Sequence, residues 1–247
     1  MIELHNLSGG YGHIDIVKNV SFNLPDGKIT AIIGANGCGK STLLKLVCGQ
    51  LKPSGGEIIV DGKPLSDLSR ADVAKSISYL PQSRTTPDIS LESFVLHGRF
   101  PWLGYPRVYR AEDRTMAESA MEKAGILNKR RALLTSLSGG ERQKAYIAMT
   151  LAQNTSHVLL DEPTTYLDIA HQLEFIKLTE LFKREGKSVA VVLHDINMAL
   201  KCADIVAVMK EGEILAQDAP ERILSTGAIE SAFDVKISEG SQIVFFR

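Results

Sequence analysis

The stretch with the clearest chemical potential is rich in glycine and ends in a lysine and two hydroxyl residues, GANGCGKST. It matches GxxxxGK(S/T) and lies between an apolar run, ITAII, and a helical pattern, TLLKLV, as this motif requires. Backbone N–H groups of such a loop and the positive end of the following helix bind phosphate. The motif predicts a nucleoside triphosphate site formed by Gly34, Asn36, Gly37, Cys38, Gly39, Lys40, Ser41 and Thr42.

Two side chains of this loop have separate predicted roles. Lys40 is expected to contact the β- and γ-phosphates, and the Ser41 hydroxyl to ligate Mg²⁺. The alternative is a glycine-rich turn without a ligand. The apolar run before the loop and the helical pattern after it favour the nucleotide site.

Two adjacent acids end a second apolar run, HVLLDEP. In a parallel sheet, ligands bind at the carboxyl ends of the strands. Asp161 is therefore predicted to hold Mg²⁺ through water, and Glu162 to act as general base on the attacking water. Solvated acids at a strand end are common, but a phosphate loop elsewhere in the chain favours the catalytic interpretation.

Two further polar residues also follow apolar runs: His194 after SVAVVL, and Gln82 in SYLPQS. Histidine donates a hydrogen bond whether neutral or charged, so His194 is predicted to contact the γ-phosphate or orient the water. Gln82 is suited to ligate Mg²⁺ through its amide oxygen. Together with Lys40 and Glu162, these two residues complete the predicted catalytic set.

The tetrapeptide LSGG occurs twice, and only the second copy is predicted to bind anything. Ser138, Gly139 and Gly140 precede ERQKAYIAMTLAQ, whose apolar residues recur at helical spacing, so they are expected at a helix N-terminus that binds an anion. The first copy, Leu7–Gly10, continues into a strand-like segment and is predicted to be a turn. One phosphate loop already serves one triphosphate. The second anion site therefore suits the γ-phosphate of a triphosphate that is bound by another copy of the protein.

The elements that position these residues follow an α/β pattern. Short apolar runs alternating with helical patterns predict a parallel sheet covered by helices. The N-terminal stretch is strand-like, with a turn at Pro25–Gly27, and predicts an added antiparallel part. We expect one domain over residues 1–247: a mixed-sheet core from 1–82 and 141–247, and an inserted helical lobe at about 83–140.

Composition excludes several classes of function. A net charge of −1 argues against a general nucleic-acid or anionic-membrane binder, so no nucleic-acid partner is expected. Three cysteines without a CxxC pair argue against a disulfide scaffold or zinc site, and favour a reducing compartment. The N-terminus does not match a signal peptide, and the apolar runs fall short of the roughly 20 residues that a membrane span needs.

The segments GANGCGKST, YLPQ, LSGGERQ, HVLLDEP and VVLHD, in this order, resemble the motifs of ABC transporter ATP-binding subunits over essentially the whole chain. The resemblance implies a P-loop NTPase of ABC type, with a RecA-like core and with ATP and Mg²⁺ as cofactors. It also implies a head-to-tail homodimer, with ATP between the phosphate loop of one subunit and Ser138–Gly140 of the other. Tyr11 would then lie under adenine, and Asp168, in TTYLD, beside the partner's site.

Two further stretches, LHGRFPWLGYPRV and DEPTTYLDIAHQ, resemble the ATPases of iron–siderophore, haem and cobalamin importers. This implies an ATPase on the cytoplasmic face of the cell membrane that powers import through integral-membrane permease subunits, served by an extracytoplasmic binding protein. The alternative is a soluble ABC-type ATPase that acts without a permease. DNA-repair members usually carry long coiled coils and translation members two cassettes, and the sequence has neither.

Overall fold

The computed structural model describes residues 1–82, 85–164, 169–235, 237–240 and 243–246, the last two ranges and residues 169–174 by backbone alone. The strands are β1 (Ile2–Tyr11), β2 (Ile14–Leu24), β3 (Ile29–Ile33), β4 (Gly55–Val60), β5 (Lys63–Pro64), β6 (Ile77–Leu80), β7 (His157–Asp161), β8 (Ser188–Val192), β9 (Ile205–Lys210), β10 (Glu213–Asp218), β11 (Ile237–Gly240) and β12 (Ile243–Phe246).

The helices are α1 (Lys40–Val47), α2 (Arg70–Ser76), α3 (Leu91–Leu96), α4 (Ala111–Lys123), α5 (Gly139–Gln153), α6 (Ile169–Arg184), α7 (Ile196–Cys202), α8 (Pro220–Ile223) and α9 (Ala228–Phe233). Short 3-10 helices lie at Leu65–Asp67, His97–Trp102, Leu127–Lys129, Leu134–Ser136 and Leu224–Thr226. Among the described helices, none combines the length and apolar character that a membrane span requires.

A six-stranded sheet of order β10-β9-β3-β8-β7-β6 forms the centre of the fold. All neighbours pair in parallel except β9 and β10, so the sheet is mixed, as predicted. Every residue of β3, β7 and β8 is buried, which is typical of strands covered on both faces. Because β3, β8, β7 and β6 run in the same direction, their carboxyl ends meet at one edge of the sheet.

The two faces of this sheet are covered differently. Ile32 joins a core formed with α1 and the antiparallel sheet β2-β1-β4-β5, whereas Ala31 and Ile33 join a core formed with helices of the lobe. Successive side chains of a strand point to opposite faces, so β3 contributes to both cores. The antiparallel part and the helical layer of the predicted fold class are both confirmed.

The first LSGG copy is not the predicted turn. Leu7–Gly10 lies inside β1, which pairs with β2 through several register shifts and with β4 on its other side. A Cβ atom added to Gly10 would lie 2.0 Å from the Ile14 carbonyl oxygen, so the irregular pairing here depends on glycine. The glycines therefore permit the bulged pairing of a strand. Glycines also favour turns, and this is why the sequence predicts a turn here.

Helix α5 crosses the predicted boundary between lobe and core. It begins at Gly139, one residue before the predicted lobe ends, and contacts α3 and α4 as well as α6 and β6. Residue 83, where the lobe was predicted to start, lies outside the described residues. The division at about 83–140 therefore stays a prediction, with α5 as the element that joins the two parts.

A buried ion pair fastens the lobe to this helix. Arg99 Nε lies 3.1 Å from Asp113 Oδ1, and their side chains are only 12% and 10% exposed. Arg99 Nη1 also donates to the carbonyl of Ala152 in α5 at 2.9 Å, and the Arg110 N–H donates to Asp113 Oδ2 at 3.0 Å. Burial by itself raises the pKa of Asp113, but the hydrogen bonds from Arg110 and Arg99 outweigh it and lower that pKa.

We expect Arg99→Ala to lower the free energy of unfolding by about 3 kcal/mol, because it leaves the buried Asp113 carboxylate without its cation. Urea unfolding at neutral pH measures the loss. The lowered pKa means that the pair stabilises fully above the ordinary aspartate pKa of about 4, and its contribution disappears as the pH falls through the lower folded value. The difference between wild type and variant should therefore shrink in acid.

Arg130→Ala is the matched control. Arg130 pairs with Glu118, which lies on α4 as Asp113 does. The side chains of Arg130 and Glu118 are 41% and 55% exposed. Exposed pairs contribute less than about 1 kcal/mol. Equal losses in the two variants would contradict the structural role given to Arg99.

Candidate functional site

The phosphate loop connects β3 to α1, as its motif predicts. Gly39 immediately precedes α1 at a φ of 111°, a left-handed conformation that residues with a side chain rarely adopt, and no side chain caps the helix. The first N–H groups of α1 are thus left for a ligand. Lys40 Nζ donates to the carbonyls of Gly34 at 2.8 Å and Ala35 at 3.0 Å, which holds its charge inside the loop.

A buried carboxylate lies next to this loop. Asp161, at the end of β7, is 1% exposed, and its Oδ1 accepts from Ser41 Oγ at 2.9 Å. Its Oδ2 accepts from the Tyr79 hydroxyl at 3.0 Å. Burial raises the pKa of Asp161, and the two hydrogen bonds offset part of that rise. The fold therefore brings two of the three predicted Mg²⁺ ligands, Ser41 and Asp161, into direct contact and adds a tyrosine whose role sequence reasoning missed.

The residues around Asp161 suit Mg²⁺. The candidate side chains, Ser41, Asp161 and Gln82, offer only oxygen atoms as ligands, and Mg²⁺ is usually held by one or two carboxylates with water and phosphate oxygens. The buried carboxylate also supplies negative charge that a cation would offset. Ser41 and Asp161 are the residues that would hold the ion.

Three of the predicted catalytic residues are in contact, because Gln82 and His194 both contact Glu162. Its Oε2 accepts from the amide nitrogen of Gln82 and lies 2.6 Å from His194 Nε2. The Glu162 side chain is 10% exposed, and its backbone has a φ of 46°, in the left-handed region. Such strained positions concentrate at functional sites, and this one turns the chain directly after β7. The amide oxygen of Gln82, which the sequence assigns to Mg²⁺, is not the atom in this contact, and that role stays a prediction.

Tyr11 lies at the end of β1, beside α1. Its hydroxyl accepts from Lys45 Nζ at 3.1 Å, and Lys45 follows Lys40 on the same helix. Lys45 Nζ also lies 5.7 Å from the centroid of the tyrosine ring, and the tyrosine is 50% exposed, so part of it is accessible to a ligand. Stacking on such a ring contributes roughly 1–3 kcal/mol per base. The position of Tyr11 beside α1 suits a role under adenine, and that role stays a prediction.

The second LSGG copy begins a helix, as predicted. Ser138 caps α5: its Oγ accepts from the Glu141 N–H at 3.3 Å, and its own N–H donates to Glu141 Oε2 at 2.9 Å. The spacing S-x-x-E of this capping box is visible in LSGGE and could have been found from the sequence. Ser138 and Gly139 are exposed, whereas Gly140 is buried.

The described contacts of Ser138 run to its own helix and do not reach the phosphate loop. This arrangement agrees with the prediction that Ser138–Gly140 serve another copy of the chain, which stays a prediction. Asp168, predicted beside the same interface, lies outside the described residues.

Comparisons with known proteins give the family and the fold of this chain. A family model for ABC transporters matches residues 17–165. The chain is 41% identical over 232 residues to the ferric enterobactin transport ATP-binding protein FepC of Escherichia coli (strain K12), an alignment that covers 93% of this chain and 86% of that protein. It is 38% identical over 236 residues to the probable siderophore transport system ATP-binding protein YusV of Bacillus subtilis (strain 168), covering 95% and 86%. A dimeric ATP-binding cassette, MJ0796 bound to ADP and Pi, matches with a TM-score of 0.76 at 29% identity, covering 89% of this chain and 99% of that one.

Proposed function

The chain belongs to the ABC transporter family, and from that premise we propose that it is the ATP-hydrolysing subunit of an importer for an iron complex. The observation that carries the ATPase activity is the contact of Glu162 with Gln82 and His194, at the sheet edge that also holds Ser41 and Asp161. The cargo is inferred from relatives named for ferric enterobactin and siderophore transport, which makes a ferric siderophore the first candidate, ahead of haem or cobalamin.

The reaction is hydrolysis of ATP to ADP and phosphate. Lys40 and the N-terminus of α1 bind the phosphates, Glu162 accepts a proton from the attacking water, and His194 and Gln82 hold its carboxylate in place. Mg²⁺, when bound, neutralises charge on the β- and γ-phosphates. Ser41 and Asp161, which contact each other, are the residues that would hold that ion.

We place a second copy of the chain over this site, head to tail. The N-terminus of α5 is exposed at Ser138 and Gly139 and is suited to bind an anion. Among the described residues, its contacts do not reach the phosphate loop of its own chain. The dimeric cassette bound to ADP and Pi supports such an assembly. ATP favours the closed dimer only through the additional contacts that it makes there, and hydrolysis removes those contacts.

Permease subunits are proposed to bind the helical lobe at the cytoplasmic face of the membrane. Four large apolar side chains within nine residues of the lobe, here called the aromatic patch, are 41% to 101% exposed: Phe100, Trp102, Tyr105 and Val108. Grouped apolar exposure of this kind is typical of a surface for a protein partner. A soluble ATPase would need another protein partner for this patch, and the relatives named for transport favour a permease.

Affinity capture tests the importer function. Glu162→Gln, incubated with ATP and detergent-solubilised membranes of the native cell, is expected to recover a many-spanning membrane protein in stoichiometric amount, identified by mass spectrometry. A deletion strain should lose uptake of iron-labelled ferric siderophore and regain it with the wild-type gene.

A patch variant provides the control for capture. Adding Tyr105→Ser and Val108→Ser, at the two most exposed positions of the aromatic patch, should abolish recovery of the membrane protein and leave ATP binding intact. Recovery of soluble partners alone would contradict the importer function. It would favour a soluble ATPase that acts without a permease.

A further inference from the structure

The hydroxyl of Tyr79 has no role in the mechanism above, although it contacts the carboxylate most closely tied to the metal. It donates to Asp161 Oδ2 at 3.0 Å, while Ser41 Oγ donates to Asp161 Oδ1 at 2.9 Å. Both carboxylate oxygens are therefore fixed by hydroxyl donors. Asp161 is 1% exposed, so solvent does not supply these hydrogen bonds instead.

Sheet geometry explains why a tyrosine makes this contact. β6 and β7 are parallel neighbours in which Tyr79 lies opposite Leu159, two residues before Asp161 along β7. The rigid phenol ring, with two rotatable bonds, carries a donor across that offset. A shorter serine or threonine hydroxyl does not span the same distance, and a phenylalanine ring brings no donor.

We propose that Tyr79 is a positioning residue for the Mg²⁺ of ATP: its hydroxyl fixes the Asp161 carboxylate so that Asp161 and Ser41 face the ion together. Partners that orient metal ligands typically change metal affinity by about 10–100-fold when they are lost. The inference rests on the proposed ATPase function, because Mg²⁺ enters that site with ATP. It gives a role to Tyr79, the first residue of YLPQ, a segment in which the sequence analysis assigns a role only to Gln82.

A structural role for Tyr79 predicts different behaviour. The ring lines an open groove of about 750 Å³ together with Gly49, Val73 and Gln153. If the ring served only as the wall of this groove, phenylalanine would replace it without consequence. If the hydroxyl positions Asp161, phenylalanine preserves the wall and weakens metal binding alone.

Direct metal binding tests the proposal. Mn²⁺ replaces Mg²⁺ as the probe, and its affinity for the protein loaded with a non-hydrolysable ATP analogue is measured by electron paramagnetic resonance. Tyr79→Phe is expected to weaken Mn²⁺ binding about tenfold. Affinity for the analogue without metal and the melting temperature of the unliganded protein should stay unchanged. p-Aminophenylalanine at position 79 restores an N–H donor and should restore Mn²⁺ affinity.

Tyr146→Phe is the matched control, since the Tyr146 hydroxyl, on α5, donates to the Thr85 carbonyl at 3.3 Å and does not contact Asp161. Its Mn²⁺ affinity should equal that of wild type. Unchanged Mn²⁺ affinity in Tyr79→Phe would overturn the proposal, as would a loss that p-aminophenylalanine does not restore or a variant that fails to fold. Because this assay needs neither hydrolysis nor a permease, a failure of the transport function leaves its result standing.

Discussion

Replacing Glu162 by glutamine should slow ATP hydrolysis by about 10²–10⁴-fold and leave ATP binding largely intact. Glu162 Oε2 accepts from Gln82 and lies 2.6 Å from His194, so the structure holds this oxygen in a fixed place. Glutamine has nearly the same shape, so it preserves the packing of a side chain that is 10% exposed. A neutral amide is far too weak a base to take the proton of the attacking water, and the chemical step therefore fails.

Single-turnover phosphate release measures this loss, and equilibrium binding of a fluorescent ATP analogue checks that the site survives. Glu180→Gln is the control, because Glu180 pairs with Arg184 on the exposed side of α6 and should retain full activity. With hydrolysis blocked and magnesium omitted, Glu162→Gln with ATP should elute as a dimer. Hydrolysis within tenfold of wild type would assign the proton acceptor to another residue.

Replacing Lys40 by methionine should weaken ATP binding and turnover together, by about 10²–10³-fold in kcat/KM. Lys40 is 4% exposed, and its ammonium donates to the carbonyls of Gly34 and Ala35. Methionine keeps the length and apolar stem of the side chain, but removes the charge that balances the β- and γ-phosphates. The loop also loses a cross-link that holds two of its carbonyls.

Isothermal titration calorimetry with the non-hydrolysable analogue measures the binding loss, and steady-state ATPase assays measure kcat/KM. Lys52→Met removes an exposed lysine beyond α1 and should change neither quantity. If Lys40→Met bound the analogue as tightly as wild type, the phosphates would have to sit elsewhere than in this loop.

Much of the site was predictable because its chemistry is local in the chain. GANGCGKST contains in consecutive residues the glycines that bend the loop, the lysine, and the start of the helix that binds phosphate. Asp161 and Glu162 were found because an apolar run ended there, and the structure places them at the end of β7. The helix that follows Ser138 was likewise predicted from its apolar spacing and begins at Gly139.

The prediction for the first LSGG copy was wrong because long-range strand pairing decided the local structure there. Leu7–Gly10 resembles a turn because glycines permit one, but β2 and β4 hold it as an irregular strand. The deciding contacts come from β4, a segment distant in the chain. The lobe boundary near residue 140 stays a prediction, and α5 packs on both sides of it.

The sequence by itself determined which residue types the site contains, whereas the tertiary structure alone decided which of them touch. Ser41 and Asp161 are 120 residues apart, Tyr79 and Asp161 are 82 apart, and Gln82 and Glu162 are 80 apart. No local spacing encodes these contacts, because they depend on which strands become neighbours, on their register, and on the reach of each side chain. A tyrosine at position 79 acquires its contact with Asp161 only when β6 lies in parallel beside β7.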